Sequence, residues 1–194
     1  MRACDNPFAT SRLLSVRYEF PEGRAGTLLA RLDRLRYRAA IVGPHGTGKT
    51  TLLEDLEKPL ARLGFRVTHL RLDAEHRRFP LRCLSQLAAT LDARDLVCLD
   101  GAEQLDCVRW MMFRWRTRRA GGVLITSHRP GLLPTLIECT TSPALLDGIM
   151  SRLAPQTGGV RTPTPEDLFA RHHGNLRDAL RELYDVYAAG DAIA

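Results

Sequence analysis

Residues Gly43, Pro44, His45, Gly46, Thr47, Gly48, Lys49 and Thr50 read G-x-x-x-x-G-K-T, a phosphate-binding loop pattern known as Walker A. The pattern constrains the fold because it works only between a strand and a helix. Arg38 to Val42 is apolar after its first residue and reads as a buried strand entering the loop. Thr51 to Leu56 reads as a helix leaving it. Glycines let backbone N–H groups turn towards phosphate oxygens, and the helix N-terminus adds partial positive charge. In this reading Lys49 reaches the β- and γ-phosphates of a nucleoside triphosphate and the Thr50 hydroxyl binds Mg²⁺. The candidate nucleotide-binding set is therefore Gly43, Pro44, His45, Gly46, Thr47, Gly48, Lys49, Thr50 and Thr51.

The rest of the chain reads as strand and helix in alternation. A helix over Ala25–Arg36 carries Leu28, Leu29, Leu32 and Leu35 at helical spacing. After the loop helix, Gly64 is a C-terminal cap, and Phe65–Leu72 alternates as a second strand. Leu81–Leu91 is helical, and Leu96–Leu99 is a fully apolar third strand ending at Asp100. A helix over about Ala102–Arg119 leads to a fourth strand, Gly122–Thr126, and Leu136–Thr140 is a short fifth. Ser142-Pro143 opens another helix, and Thr164-Pro165-Glu166-Asp167 opens one more with its cap, proline and early acids in place. Asn175 caps the last helix. This alternation implies a mostly parallel five-stranded sheet between two layers of helices, followed by a small C-terminal helical segment. The expected boundaries are an arm at 1–24, a core at 25–153, a linker at 154–163 and the helical segment at 164–194.

Composition excludes several classes. The 194 residues suffice for one core, and no apolar run reaches membrane-spanning length. The first eight residues lack the apolar stretch of a secretory signal, so the cytoplasm is the expected compartment. Five cysteines without a C-x-x-C pair argue against a disulfide framework or a zinc site. The formal charge of +6 invites a nucleic-acid partner. Yet Lys49 and Lys58 are the only lysines among 28 basic residues, and such arginine enrichment is what a GC-rich genome produces. Against that bias, the lysine at 49 stands where a compact ammonium is needed.

Asp100, at the end of the third strand, fits the acid that holds Mg²⁺ through water. Glu103, in the first turn of the next helix, either points back towards the γ-phosphate or simply complements a helix N-terminus. Thr126-Ser127-His128 ends the fourth strand, and ligands bind at the carboxyl ends of parallel strands. Ser127 and His128 are thus candidates to touch phosphate or the attacking water.

The order of Walker A, intervening strand, Asp100 and a polar strand end resembles the P-loop ATPases that include the AAA+ and ABC families. That resemblance covers about Arg38–Thr140. Gly174-Asn175-Leu176-Arg177 resembles the G-N-x-R segment of AAA+ lid helices, over about Thr164–Ala189. It implies ATP and Mg²⁺ as ligands, adenine over guanine, and a γ-phosphate-sensing role for Arg177. It also implies that the fourth strand lies between the P-loop strand and the Asp100 strand, with Ile125 beside the former. Two departures stand out. Gly101 occupies the place where a glutamate usually follows the aspartate, and the turn before the fifth strand is too short for an arginine-finger helix. Ser127-His128 is more similar to the histidine switch of ABC ATPases, but no L-S-G-G-Q signature is present.

Arg109–Arg119 interleaves arginines with aromatics. A nucleic-acid surface is one reading. The favoured one is a sheet-facing stripe of Val108, Met111, Met112 and Trp115, with Arg109, Arg116 and Arg119 solvated opposite. The leading functional expectation is an ATPase or ATP-driven switch using Lys49, Glu103, His128 and Arg177, with Thr50 and Asp100 at the metal. The alternatives are a small-molecule kinase and a non-catalytic nucleotide-binding module. A protein partner is left unspecified.

Overall fold

A computed structural model describes residues 6–9, 12, 24–72, 89–154 and 162–190. Most of the expected helix at Leu81–Leu91, most of the arm and most of the linker lie outside the described residues. The chain divides into two compact units. A sheet unit comprises Tyr18–Gly43 and Gly48–Cys139, and a helical unit comprises Met1–Arg17, Pro44–Thr47 and Thr140–Ala194.

In the sheet unit, β1 (Arg38–Val42), β2 (Arg66–Arg71), β3 (Asp95–Asp100), β4 (Gly122–Ser127) and β5 (Thr135–Glu138) form one sheet in the order β2-β3-β4-β1-β5. Every adjacent pair is parallel. β4 lies beside the strand that enters the loop, with Ile125 opposite Ala40, as the resemblance implies. Successive side chains serve opposite faces. Ala39, Ile41, Leu96, Cys98 and Leu124 pack on one face with Leu28 and Leu32 of α1 (Arg24–Arg34), Leu52 and Leu53 of α2 (Lys49–Asp55) and Leu60 of α3 (Glu57–Arg62). Ala40, Val42, Val97, Leu99, Val123 and Ile125 pack on the other with Trp110 and Phe113 of α4 (Cys107–Arg116). Strands buried on both faces explain why β3 and β4 are almost continuously apolar.

Two helices differ from the sequence reading. The loop helix is broken at Leu56 into α2 and α3, because Pro59 has no N–H to give to the carbonyl four residues back. Gly64, at φ 91°, ends α3 as expected. The helix expected from Ala102 instead begins at Cys107, after a 3-10 turn over Ala102–Gln104. Asp106 sets that start by accepting from the Arg109 N–H at 2.8 Å.

The later start accompanies a correction to α4. Val108, Met111 and Trp115 are 70%, 64% and 58% exposed and Met112 is half-buried, so the stripe faces water and not the sheet. Trp110 and Phe113 are the buried side chains of this helix, and the adjoining Thr117 is buried too. They share the same i, i+3, i+7 spacing; the period alone does not say which of two apolar stripes turns inward.

The helical unit packs α5 (Pro143–Leu153), α6 (Pro165–Arg171) and α7 (Leu176–Gly190) around Leu146, Leu168, Ala179 and Leu183. Phe8 joins this core against Tyr187, ring centroids 5.1 Å apart. Ser142 and Thr164 cap α5 and α6 by accepting from Leu145 and Asp167 N–H groups. His173 and Gly174 take φ of 51° and 79°, which turns the chain so that Asn175 Oδ1 accepts from the N–H groups of Arg177 and Asp178.

Candidate nucleotide site

Asp100 is held from several sides at the carboxyl end of β3. Thr50 Oγ1, one residue into α2, donates to Asp100 Oδ2 at 3.0 Å. Thr126 Oγ1, near the end of β4, donates to Oδ1 at 2.6 Å and accepts from the Gly101 N–H at 2.8 Å. Arg71 Nε, at the end of β2, lies 3.6 Å from Oδ2. Three strand ends and the start of one helix therefore fix one carboxylate, whose side chain is only 16% exposed. Each oxygen accepts a hydroxyl hydrogen bond, an arrangement that fixes the orientation of the carboxylate.

Lys49 is 8% exposed at the start of α2. Gly48 precedes it at φ 81°, a left-handed conformation that glycine adopts without steric cost. The intervening Pro44–Thr47 belong to the helical unit, where Thr47 Oγ1 donates to the Pro44 carbonyl at 2.9 Å. Within that unit, Gly46 lies against Asn175. A Cβ at Gly46 would fall 1.8 Å from Asn175 Oδ1.

The acid candidate Glu103 sits in the 3-10 turn after β3, not in a helix. Its Oε1 is 3.3 Å from His128 Nε2, just past the end of β4. Its Oε2 is buried and has no hydrogen-bond partner among the described residues. A buried carboxylate oxygen without a donor costs free energy on the order of 1–3 kcal/mol, so it marks a place where a donor is expected to arrive. Ser127 is 2% exposed, and its hydroxyl donates to the Arg129 carbonyl at 2.8 Å, a local turn that turns the group along its own chain. Arg177 stands in the first turn of α7 in the helical unit. Sequence reasoning missed Thr126 and Arg71. Thr126 carried a signal, since a threonine closing an apolar strand is a buried hydroxyl that must find a partner.

Gly101 explains the missing glutamate. Its φ is 85°, and a Cβ there would lie 2.5 Å from the Leu72 carbonyl oxygen. Only glycine fits that backbone, and the turn it makes carries the chain to Glu103.

A parallel sheet in which a further strand separates the loop strand from the aspartate strand, with the loop's threonine bonded to that aspartate, gives the chain a fold like that of P-loop NTPases. β4, and not β3, lies next to β1, the placement that the resemblance implies. The comparisons with known proteins agree at the level of fold. A 66-residue stretch is 35% identical to GPN-loop GTPase 2 of Danio rerio, covering 34% of this chain and 19% of that protein. Two mutants of RuvB from Thermotoga maritima align over 84% of this chain with TM-scores of 0.56 and 0.54 at 16% and 18% identity. A DNA replication initiation factor aligns over 91% of this chain with a TM-score of 0.58 at 15% identity. This chain spans 61%, 60% and 64% of those solved chains. No protein-family model matches it. Among the described residues, no helix is long and apolar enough to cross a membrane.

Proposed function

We propose that the chain binds ATP with Mg²⁺ and hydrolyses it, acting as an ATPase or ATP-driven switch. The observation that carries this reading is the 3.0 Å hydrogen bond from Thr50 to Asp100. Together these groups offer a hydroxyl and a carboxylate, the hard oxygen donors that Mg²⁺ takes while keeping several waters. Thr50 would hold the ion directly and Asp100 through water, with Thr126 fixing the carboxylate. When bound, Mg²⁺ neutralises charge on the β- and γ-phosphates. Lys49 would place its ammonium against the same oxygens. Glu103 would accept a hydrogen bond from the attacking water at Oε2, while His128 holds Oε1. That pair would supply a carboxylate to orient the water and take its proton without a glutamate at 101. Arg177 and Ser127 remain candidates for sensing the γ-phosphate.

The test is nucleotide turnover by the purified chain with Mg²⁺. Lys49→Ala is expected to lose ATP binding, and Glu103→Gln to bind ATP while turnover falls at least about tenfold to a hundredfold. Normal turnover in Lys49→Ala would refute the assignment. Tight ATP binding with no turnover in the wild type would favour the non-catalytic module. The 66-residue likeness to a GTPase supports one second reading, GTP as the nucleotide. We favour ATP because the chain has no N-K-x-D segment for reading guanine. A tighter Kd for GTP than for ATP would reverse that preference.

A further inference from the structure

On the sheet unit, α4 turns an apolar stripe to water. Val108, Met111 and Trp115 are all more than half exposed and lie at i, i+3 and i+7, so they span about 10 Å along the helix. The Trp115 ring already carries two guanidinium groups, Arg118 at 4.6 Å and Arg116 at 5.3 Å from its centroid. Beside the stripe is a cavity of about 310 Å³ lined by Arg38, Arg114 and Arg118 together with Trp110 and Leu133. Among the described residues, no carboxylate pairs with any of these three arginines. Arg38 is anchored there by donating from Nη2 to the carbonyls of Ala120 at 2.8 Å and Thr117 at 3.1 Å. Burial, and then the charge of Arg114, lower its affinity for its own proton, which is what crowded cations without a counter-anion produce. Arg38 and Val123 lie at the amino ends of β1 and β4, whereas Thr50 and Asp100 meet at the carboxyl ends. The cavity is therefore separate from the nucleotide site.

We propose that this face docks an acidic amphipathic helix of a partner protein, with apolar side chains laid on Val108, Met111 and Trp115 and a carboxylate entering the Arg38–Arg114–Arg118 cavity. The charge identifies the occupant. Cations around an empty cavity favour an acid, and an aliphatic–tryptophan stripe at helical spacing favours apolar residues of the same spacing. Tryptophan, methionine and arginine are the residues that protein interfaces enrich. A single-stranded nucleic acid fits less well. It stacks on successive aromatic rings, and here one ring with two guanidinium groups over it stands beside valine and methionine.

The test uses the full chain and a fluorescein-labelled synthetic peptide with leucines at i, i+3, i+4 and i+7 and glutamates elsewhere. Controls are the same peptide with its leucines dispersed, a lysine-for-glutamate version and an oligo-dT strand. Anisotropy titration is expected to give saturable binding by the acidic helix, at least about tenfold tighter than by either peptide control. Trp115→Ala and Arg118→Glu are each expected to weaken it at least about tenfold while leaving the unfolding temperature unchanged. Equal binding of the dispersed peptide, or no loss in both variants, would overturn the proposal. So would tighter binding of oligo-dT, or a dimer of the chain that Met111→Glu dissolves. ATP turnover is read in parallel and is expected to be unchanged in the α4 variants, so this inference and the nucleotide assignment fail independently.

Discussion

Restoring the glutamate that Gly101 replaces is expected to damage the protein and not to improve it. Gly101 holds φ at 85°, where a residue with a Cβ pays about 1–2 kcal/mol. The new Cβ would also stand 2.5 Å from the Leu72 carbonyl oxygen, far inside contact distance. Relief requires moving the backbone at Leu72, whose own N–H donates to the Asp100 carbonyl at 2.9 Å. Weakening that bond adds about 0.5–1.5 kcal/mol. The total is about 1.5–3.5 kcal/mol, or a fall in Tm of about 3–14 °C for a chain of this size. Gly101→Ala separates the backbone from the carboxylate, because it meets the same φ and the same oxygen without bringing an acid. Thermal unfolding by circular dichroism and phosphate release would be measured on wild type, Gly101→Ala and Gly101→Glu. Both variants are expected to lose stability alike, and neither to gain turnover. The reasoning fails if Gly101→Glu melts within about 1 °C of wild type and hydrolyses ATP tenfold faster.

Other expectations follow from the same geometry. Thr126→Val removes the hydroxyl that holds Asp100 and leaves the half-buried Gly101 N–H without its acceptor. It should cost about 1–3 kcal/mol and weaken Mg²⁺ dependence, whereas Thr126→Ser should retain both; a urea titration and an Mg²⁺ titration of turnover would show it. Burial, with a smaller contribution from Glu57, pushes the Cys98 thiol up from 9.0 to about 12. Because the folded value is the higher one, the stability Cys98 contributes is complete below about pH 9 and is lost as pH rises towards 12. At one unit above the ordinary thiol value the loss is about 1.4 kcal/mol, and Cys98→Ala should lack that part of the alkaline decline in urea-unfolding experiments.

The core of the fold was legible because it rests on short-range rules. A loop that binds phosphate demands a strand before it and a helix after it, and doubly buried strands announce themselves as apolar runs. The caps at Ser142, Thr164 and Asn175 were legible for the same reason: each hydroxyl or amide satisfies an N–H within three residues. What the chain does not spell out locally is how strands far apart in sequence meet. Thr126 and Arg71 reach Asp100 only because β4 and β2 flank β3, so their partnership follows from sheet order and not from spacing.

The face of α4 was misjudged for a related reason, and the source of the error joins the two ends of the molecule's logic. Two apolar stripes run along that helix at the same period, and only tertiary contact decides between them. Gly101 turns in a left-handed conformation, the 3-10 turn takes up Ala102–Gln104, and Asp106 restarts the helix at Cys107. Trp110 and Phe113 are thereby buried against Val97, Leu99 and Ile125, and the stripe of Val108, Met111 and Trp115 is left to water. The same turn brings Glu103 to His128. One left-handed glycine thus accounts both for the place of Glu103 beside His128 and for the route by which the chain enters α4. If so, Gly101→Ala should disturb two observables together: the ATP turnover proposed to use Glu103 and the proposed affinity of α4 for the acidic helix. A variant that alters neither would separate the two ends of α4's approach and undo the link.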